Sequence, residues 1–555
     1  MSRLGAVLVK HRVVLIVIIA LAFLWSITVL SPQICHFPPD PFYFVKQLPL
    51  SYWFGIAIVC SMFIYFINQR RKEVSPKELL AIVIILIFTA VYLFGLPSFI
   101  YGNPRYLDVY RYSFTVHQMV IGNLDSYPNL GSVYTTEFQG TTVLFAILET
   151  LAGIDTLVLA KYYPLYSILI LTSVIIIIAR LFSKEPMDFL IAGVTYICLA
   201  WVQEYHLCPQ SHALLLGGFI LYLIVALLLS APRSKSYYTK LIFLLIFWVA
   251  VCISHSLTPI ILLISIGVFI FSTLITSLGR RHLLASFWSA VGNDRTAHMR
   301  IITHLAVLLG VVYLGYLLIS SNFMLDKIVS TIHHTINNLY EGNTMTVVDR
   351  DVDSPAPSYF ICYVVRMLTS ASVMLGGVIS MVYTAMRQGM TKKTWLIGSL
   401  FFGLSMLGVY LTVAGYNTYG SDRSYIFLLI PFSILIMFAL GTWSRNIPNN
   451  SYYDTTAHFL FLIFIISQII LFPVTKYSSD PYGFISESEL TGDSFASNYL
   501  DYAYPFSTPH ACTNLRYNFF QLKQQKGDYY KKSFKGDDLN LIYNGGQVLM
   551  HILVI

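Results

Sequence analysis

The chain has 555 residues, of which 56% are hydrophobic and only 11% charged, and its mean hydropathy is +0.67. Soluble domains carry about 25% charged residues, so composition excludes a water-surfaced enzyme, a disordered chain and a disulfide-stapled scaffold. The net charge of +8 comes from lysines and arginines in the polar connections and does not point to nucleic acid. The seven cysteines (Cys35, Cys60, Cys198, Cys208, Cys252, Cys362 and Cys512) form no C-x-x-C pair, which gives neither a zinc site nor a disulfide framework.

Crossing about 30 Å of hydrocarbon takes roughly 20 apolar residues in a helix. Thirteen segments fit, at 13–30, 51–67, 79–97, 157–180, 188–204, 211–230, 240–254, 257–276, 301–319, 358–385, 395–415, 424–443 and 457–475. The predicted fold is therefore an all-α polytopic membrane protein with about 13 transmembrane helices. The first segment lacks an obvious small-residue cleavage site and further spans follow it, so it reads as an uncleaved anchor.

Charge sets the orientation. With Arg3, Lys10 and Arg12 cytoplasmic, the cytoplasmic connections carry 20 basic residues and the external ones before the tail carry 7. The bias requires that the apolar stretch 141–153 does not cross. As a helix it reaches only about 20 Å, so it is predicted to lie on or dip into the outer face. The reading is a multi-pass cell-membrane protein with its N-terminus cytoplasmic and its C-terminus external. Its organisation is N-terminal transmembrane helices over 1–78, a core over 79–475 with an external loop at 98–156, and a small external domain over 476–555.

In that external loop Asn103 suits an N-cap, Pro104 a first helical position and Gly122 a C-terminal stop. The predicted helix is about 27 Å long, with an aromatic surface suited to the membrane interface. Glu137-Phe-Gln-Gly140 then leads into the short apolar helix ending at Gly153. Two surface helices thus form a small platform. Asp108 sits in the second turn of the first, with Arg105 and Arg111 three residues to either side on the same face. A carboxylate there can act as general base for an acceptor hydroxyl, with the arginines drawing an anionic donor; the other reading is a surface ion cluster that orients an interfacial helix. Two flanking cations favour the ionised carboxylate and weaken it as a base, a tension that phosphate on the arginines relieves.

Glu204, His206 and His212 bracket the next external turn, and His255 lies on a neighbouring one. They either mark a substrate path or simply meet water at helix ends. His206 and His212 do not share a helical turn and Pro209 lies between them, which argues against a metal site. Arg366 is the only lysine or arginine well inside a span, roughly 12 Å along it; it either partners a phosphate or snorkels outward. In the tail, Ser486 to Glu489 reads as a capping box opening a helix to about Leu500, and Asn544-Gly-Gly546 as the turn of a β-hairpin, giving a small α/β unit.

The order of these features resembles the GT-C superfamily of integral-membrane glycosyltransferases, especially prokaryotic members related to protein O-mannosyltransferases. The stretches that carry the resemblance are Asp108 to His117, Gly122 to Tyr127, Phe138 to Gly153, Cys208-Pro-Gln-Ser-His212, Ser254-His-Ser-Leu-Thr-Pro259 and Ser421-Asp-Arg-Ser-Tyr425, within roughly 79–440. The resemblance implies two external "jaw" helices and transfer of a sugar from a polyprenyl (dolichyl) phosphate to a protein, lipid or glycan acceptor at the external face. It implies Asp108 as the acceptor-activating base and Arg423, with Arg111, on the carrier phosphate. From the residues themselves, Arg366 is a further candidate for that phosphate, and Arg105, His117, Glu204, His206 and His255 are candidates for the substrate cavity. Many members have two adjacent acidic residues at the first position. Leu107-Asp108-Val109 supplies one, so no cofactor and no required metal is expected. The rival readings are a transporter or flippase, for which no duplicated half is visible, and a polysaccharide polymerase or ligase handling lipid-linked sugars. The latter tends to concentrate arginines in a late external loop, whereas 320–357 carries Glu341, Asp349, Asp351 and Asp353.

Overall fold

The computed structural model describes residues 3–31, 42–68, 76–102, 104–120, 137–202, 205–230, 234–278, 295–321, 357–388, 392–413, 417–446 and 451–477, with a few isolated positions between 325 and 337. Among these residues the chain is helical and contains no strand. The helices are α1 (Arg3–Val29), α2 (Tyr43–Gln47), α3 (Leu50–Asn68), α4 (Pro76–Ala90), α5 (Leu96–Ile100), α6 (Leu107–Val120), α7 (Gly140–Ala152), α8 (Thr156–Phe182) and α9 (Pro186–Leu199). They continue as α10 (Pro209–Leu228), α11 (Lys235–Ser254), α12 (Leu257–Leu278), α13 (Arg295–Ser320), α14 (Pro357–Gln388), α15 (Lys392–Val413), α16 (Asn417–Asn446) and α17 (Ser451–Tyr477).

Each of the thirteen predicted spans overlaps a helix. Among the described residues nine helices are long and apolar enough to cross a membrane, whereas those at the predicted spans 13–30, 188–204, 257–276 and 395–415 have shorter apolar stretches. Several ends are set by local chemistry. The Asp155 carboxylate accepts from the Leu157 N–H at 2.7 Å to start α8, and Ser234 Oγ accepts from the Tyr237 N–H at 3.2 Å to start α11. Gly153, at φ 63°, ends α7 with its N–H on the Glu149 carbonyl at 2.9 Å.

Burial separates an inner set of helices from an outer one. Of their apolar windows, 83% is buried in α10 and in α16, against 22% in α11 and 28% in α13. Uniformly apolar helices tolerate either position, because lipid tails satisfy them as well as protein does. The inner pair packs with α8 and α9, and α9 is buried over nearly its whole length.

α4 widens into a π-helical turn, Val91–Gly95, before resuming as α5. Pro97 and Ser98 of α5 and Ala160 and Lys161 of α8 line one and the same hollow. The end of α5 and the start of α8 therefore meet at one end of the bundle. α7 turns Val143, Leu144, Ile147, Leu148 and Leu151 outward, as an interfacial helix does. Its Glu149 faces His117 Nδ1 of α6 at 3.6 Å and accepts from the Thr156 N–H at 3.2 Å and from the Thr156 hydroxyl. One carboxylate thus joins α6, α7 and the start of α8. At the foot of α7, the Ser321 hydroxyl donates to Glu137 Oε2 at 2.6 Å and the Tyr316 hydroxyl donates to the Glu137 carbonyl, which ties the end of α13 to the platform.

Three boundaries differ from expectation. The first platform helix starts at Leu107, not beside Asn103, because Tyr106 adopts φ 74°; a left-handed residue cannot be followed backward into a right-handed helix. α9 stops at Leu199, five residues short of the predicted end. There the backbone turns tightly and its carbonyls go to side chains: Tyr425 Oη donates to Leu199 O at 3.0 Å and Lys476 Nζ donates to Val202 O. The last helix runs to Tyr477, past the predicted start of the tail. The predicted tail helix and hairpin, the acidic stretch 341–353 and Gly122 lie outside the described residues.

Candidate functional site

At the platform end lies a small, partly open hollow. It collects residues from six parts of the chain. Phe94 comes from the π turn, Pro97 and Ser98 from α5, and Pro104, Arg105 and Tyr106 from the turn before α6. Ala160, Lys161 and Pro164 come from α8, Tyr205 and His206 from the turn after α9, and Lys476 and Tyr477 from the end of α17. The lining carries Arg105, Lys161, Lys476 and His206 and no carboxylate among its described residues.

The cations are held against aromatic faces. Arg105 is 8% exposed, and its guanidinium carbon lies 5.1 Å from the Tyr106 ring centre and 5.2 Å from that of Tyr477. Lys476 is 3% exposed; its Nζ lies 5.0 Å from the Tyr205 ring and 5.4 Å from the Phe94 ring, and donates to the Val202 carbonyl. Such contacts partly replace water around a buried cation. The left-handed Tyr106 stacks its ring on His206, with centres 4.5 Å apart and planes 30° apart. Tyr477 donates its hydroxyl to the Leu93 carbonyl within the π turn. Burial pushes the Tyr205 phenol well above its ordinary value, reinforced by Tyr196, whose hydroxyl oxygen is 3.1 Å away. Tyr205 is therefore a neutral wall and brings no negative charge. Cations and aromatic faces set among Pro97, Pro104 and Pro164 suit an anionic head borne on an apolar body.

The sequence-predicted residues divide. Arg105 and His206 line the hollow. Asp108 and Arg111 fall on α6 by their backbone, and Arg423 in the second turn of α16, but their side chains lie outside the described residues. Glu204 lies outside them altogether. Arg423 precedes Tyr425 by two residues, and Tyr425 donates to Leu199 O, three residues before Val202, whose carbonyl accepts from Lys476; no described residue of α16 lines the hollow itself. His117 pairs with Glu149 and does not line it. His255 is buried beside α12, its Nδ1 2.9 Å from Thr258 Oγ1 and accepting from the Thr258 N–H at 3.2 Å, which makes it a cap of that helix. Arg366 donates from Nε and Nη2 to the Thr475 carbonyl at 2.8 and 2.6 Å. Among the described residues no three His, Cys, Asp or Glu side chains gather as metal ligands.

Lys161, Lys476, Tyr106, Tyr205 and Tyr477 were not singled out by the sequence. Span parity carried the missing signal for the two lysines: one opens a span and the other closes one, both at the platform end.

No family model and no curated protein matches the chain. Among solved structures it is similar to the archaeal oligosaccharyltransferase AglB from Archaeoglobus fulgidus in complex with an inhibitory peptide and a dolichol-phosphate, with TM-score 0.48 and 13% identity over 80% of this chain and 59% of that one. The apo form of the Archaeoglobus fulgidus oligosaccharyltransferase gives TM-score 0.47 and 13% identity over 80% of this chain and 60% of that one. The form tethered by a disulfide to an acceptor peptide containing the NVT sequon gives 0.46 and 14% over 80% and 59%. The chain spans about six-tenths of the length of those structures.

Proposed function

We propose that this chain is a membrane-embedded glycosyltransferase of GT-C type that takes a sugar from a polyprenyl-phosphate donor and passes it to an acceptor at the platform end. The observation that carries the reading is the hollow itself: Arg105, Lys161, His206 and Lys476 converge there among aromatic and proline walls, three residues along the chain from Asp108. The cations hold the donor phosphate and stabilise the charge that grows on it as the sugar–phosphate bond breaks. Arg111 and Arg423 are further phosphate partners. Asp108, at the start of α6, takes the proton of the acceptor hydroxyl as that oxygen attacks the sugar carbon, and the carrier leaves as polyprenyl phosphate. The lining supplies the positive charge, so the reaction needs no metal ion.

The experiment is sugar transfer in proteoliposomes from a radiolabelled polyprenyl-phosphate sugar, comparing wild type with Asp108→Asn. The expected result is loss of transfer by at least 100-fold, the usual order for a general base, with donor binding retained. Undiminished turnover with normal expression removes Asp108 from the mechanism.

A further inference from the structure

Lys476 and Tyr477 enter the hollow from the last turn of α17, a turn whose own helix supports it poorly. Pro473 lies just before it and has no N–H to give to the preceding turn. The carbonyls of a final turn have no donor within the helix. Support comes instead from α14. Arg366 donates from Nε and Nη2 to the Thr475 carbonyl, at 2.8 and 2.6 Å, and its guanidinium carbon lies 5.0 Å from the centre of the Trp201 ring. The next residue, Lys476, donates to the carbonyl of Val202, adjacent to Trp201. Trp201 in turn packs on Tyr425, with ring centres 5.4 Å apart, and Tyr425 donates to Leu199 O. A planar cation is thus stacked on one face and forked onto a backbone carbonyl, a combination that lysine cannot reproduce.

We infer that Arg366 is a positioning residue for the anion site: it clamps the last turn of α17 through Thr475 O and thereby holds Lys476 and Tyr477 against the hollow. The inference rests on the reading of that hollow as the donor-phosphate site. It gives Arg366 a role through its neighbour, in place of the direct phosphate contact or the outward snorkelling that the sequence suggested.

The test is a double-mutant cycle on farnesyl phosphate binding to the full chain in nanodiscs, using Arg366→Met, Lys476→Met and the pair. Arg366→Met is expected to weaken binding about ten-fold, the size expected for losing a charge-assisted contact that orders the site. It is expected to add less than about two-fold once Lys476 is already methionine. Full additivity overturns the inference, because it means that Arg366 meets the phosphate itself. Arg366→Lys keeps the charge and loses the fork, so it is expected to behave like Arg366→Met; wild-type affinity in that variant also overturns the inference. A second readout needs no ligand. Acylation of the Lys476 amine by an amine-reactive ester, followed by peptide mass spectrometry, is expected to quicken about ten-fold in Arg366→Lys or in Trp201→Leu, as the turn opens more often. Unchanged labelling in folded protein overturns the clamp. If wild type shows no Lys476-dependent farnesyl phosphate binding while the labelling still responds, the functional reading fails and the clamp stands.

Discussion

Tyr106 is the only non-glycine among the described residues with a positive φ, 74°, and it bends the chain between Arg105 and the helix that carries Asp108. A left-handed conformation costs an L-residue about 1–2 kcal/mol, and such cost persists where surrounding contacts over-determine it. Here those contacts are the stack on His206, at 4.5 Å, and the Arg105 guanidinium 5.1 Å over the ring. The stack contributes about 0.5–1.5 kcal/mol and the cation–π contact about 0.5–2 kcal/mol. Tyr106→Ala loses both and keeps the backbone cost, so it destabilises by about 1–3 kcal/mol. Tyr106→Gly loses both and is relieved of the backbone cost, so it recovers about 1 kcal/mol of that loss. The order is the reverse of the usual one, in which glycine is the less stable by about 0.5–1 kcal/mol. The assay is the thermal unfolding midpoint of the two variants in one nanodisc composition, where the gap is expected to be about 1–2 °C in favour of glycine. An alanine variant equal to or more stable than the glycine variant refutes the left-handed turn and, with it, the path that brings Arg105 and α6 together.

Other expectations follow from the platform. A Cβ on Gly140 meets Ser254 Oγ at 2.5 Å, Ile253 Cγ1 at 2.8 Å and the Ile253 carbonyl carbon at 3.1 Å, so Gly140→Ala is expected to destabilise by about 1–3 kcal/mol. Gly310→Ala in α13, with nothing within 4 Å, is expected to stabilise by about 0.5–1 kcal/mol; thermal midpoints of the two variants check the sign. Glu149→Gln keeps an acceptor oxygen toward Thr156 and gives up only the part-exposed pairing with His117, a loss under about 1 kcal/mol, whereas Glu149→Ala also strips the partner from the Thr156 N–H and costs about 1–2 kcal/mol more. In a cysteine-free background, cysteines at 102 and 154 are expected to react with a membrane-impermeant maleimide from one side of sealed vesicles, and those at 184 and 235 from the other. Labelling of 102 and 154 from opposite sides means that α7 crosses. Sugar transfer is expected to be unchanged by EDTA; activity lost to EDTA and restored by a divalent cation contradicts a phosphate site charged by lysine and arginine alone.

Apolar runs made the helices readable, including the short one over 141–153, since hydrocarbon thickness leaves few alternatives for uninterrupted apolar chain. Gly153 was legible as a stop for the same kind of reason: the left-handed position after a helix selects it. What escaped was set by distant partners. The end of α9 at Leu199 is fixed by carbonyl contacts with Tyr425 and Lys476, which lie more than 200 residues further along. The left-handed Tyr106 carries no local signal, because tyrosine does not favour that conformation. Of the residues that line the hollow, Arg105 and His206 were singled out because polar groups beside apolar spans stand out. Lys161 and Lys476 were passed over because lysines near helix ends usually reach water, and Lys476 instead is buried. Arg366 was noticed for its depth, but its partner, a backbone carbonyl, is invisible in a sequence.

The most direct test asks where the lipid phosphate sits. A photoreactive diazirine analogue of farnesyl phosphate, cross-linked to the full chain in nanodiscs and mapped by peptide mass spectrometry, is expected to label the segments around 97–106, 160–164, 205–206 and 476–477, with labelling displaced by excess farnesyl phosphate. Displaceable labelling confined to other segments contradicts the assignment of the hollow as the donor site.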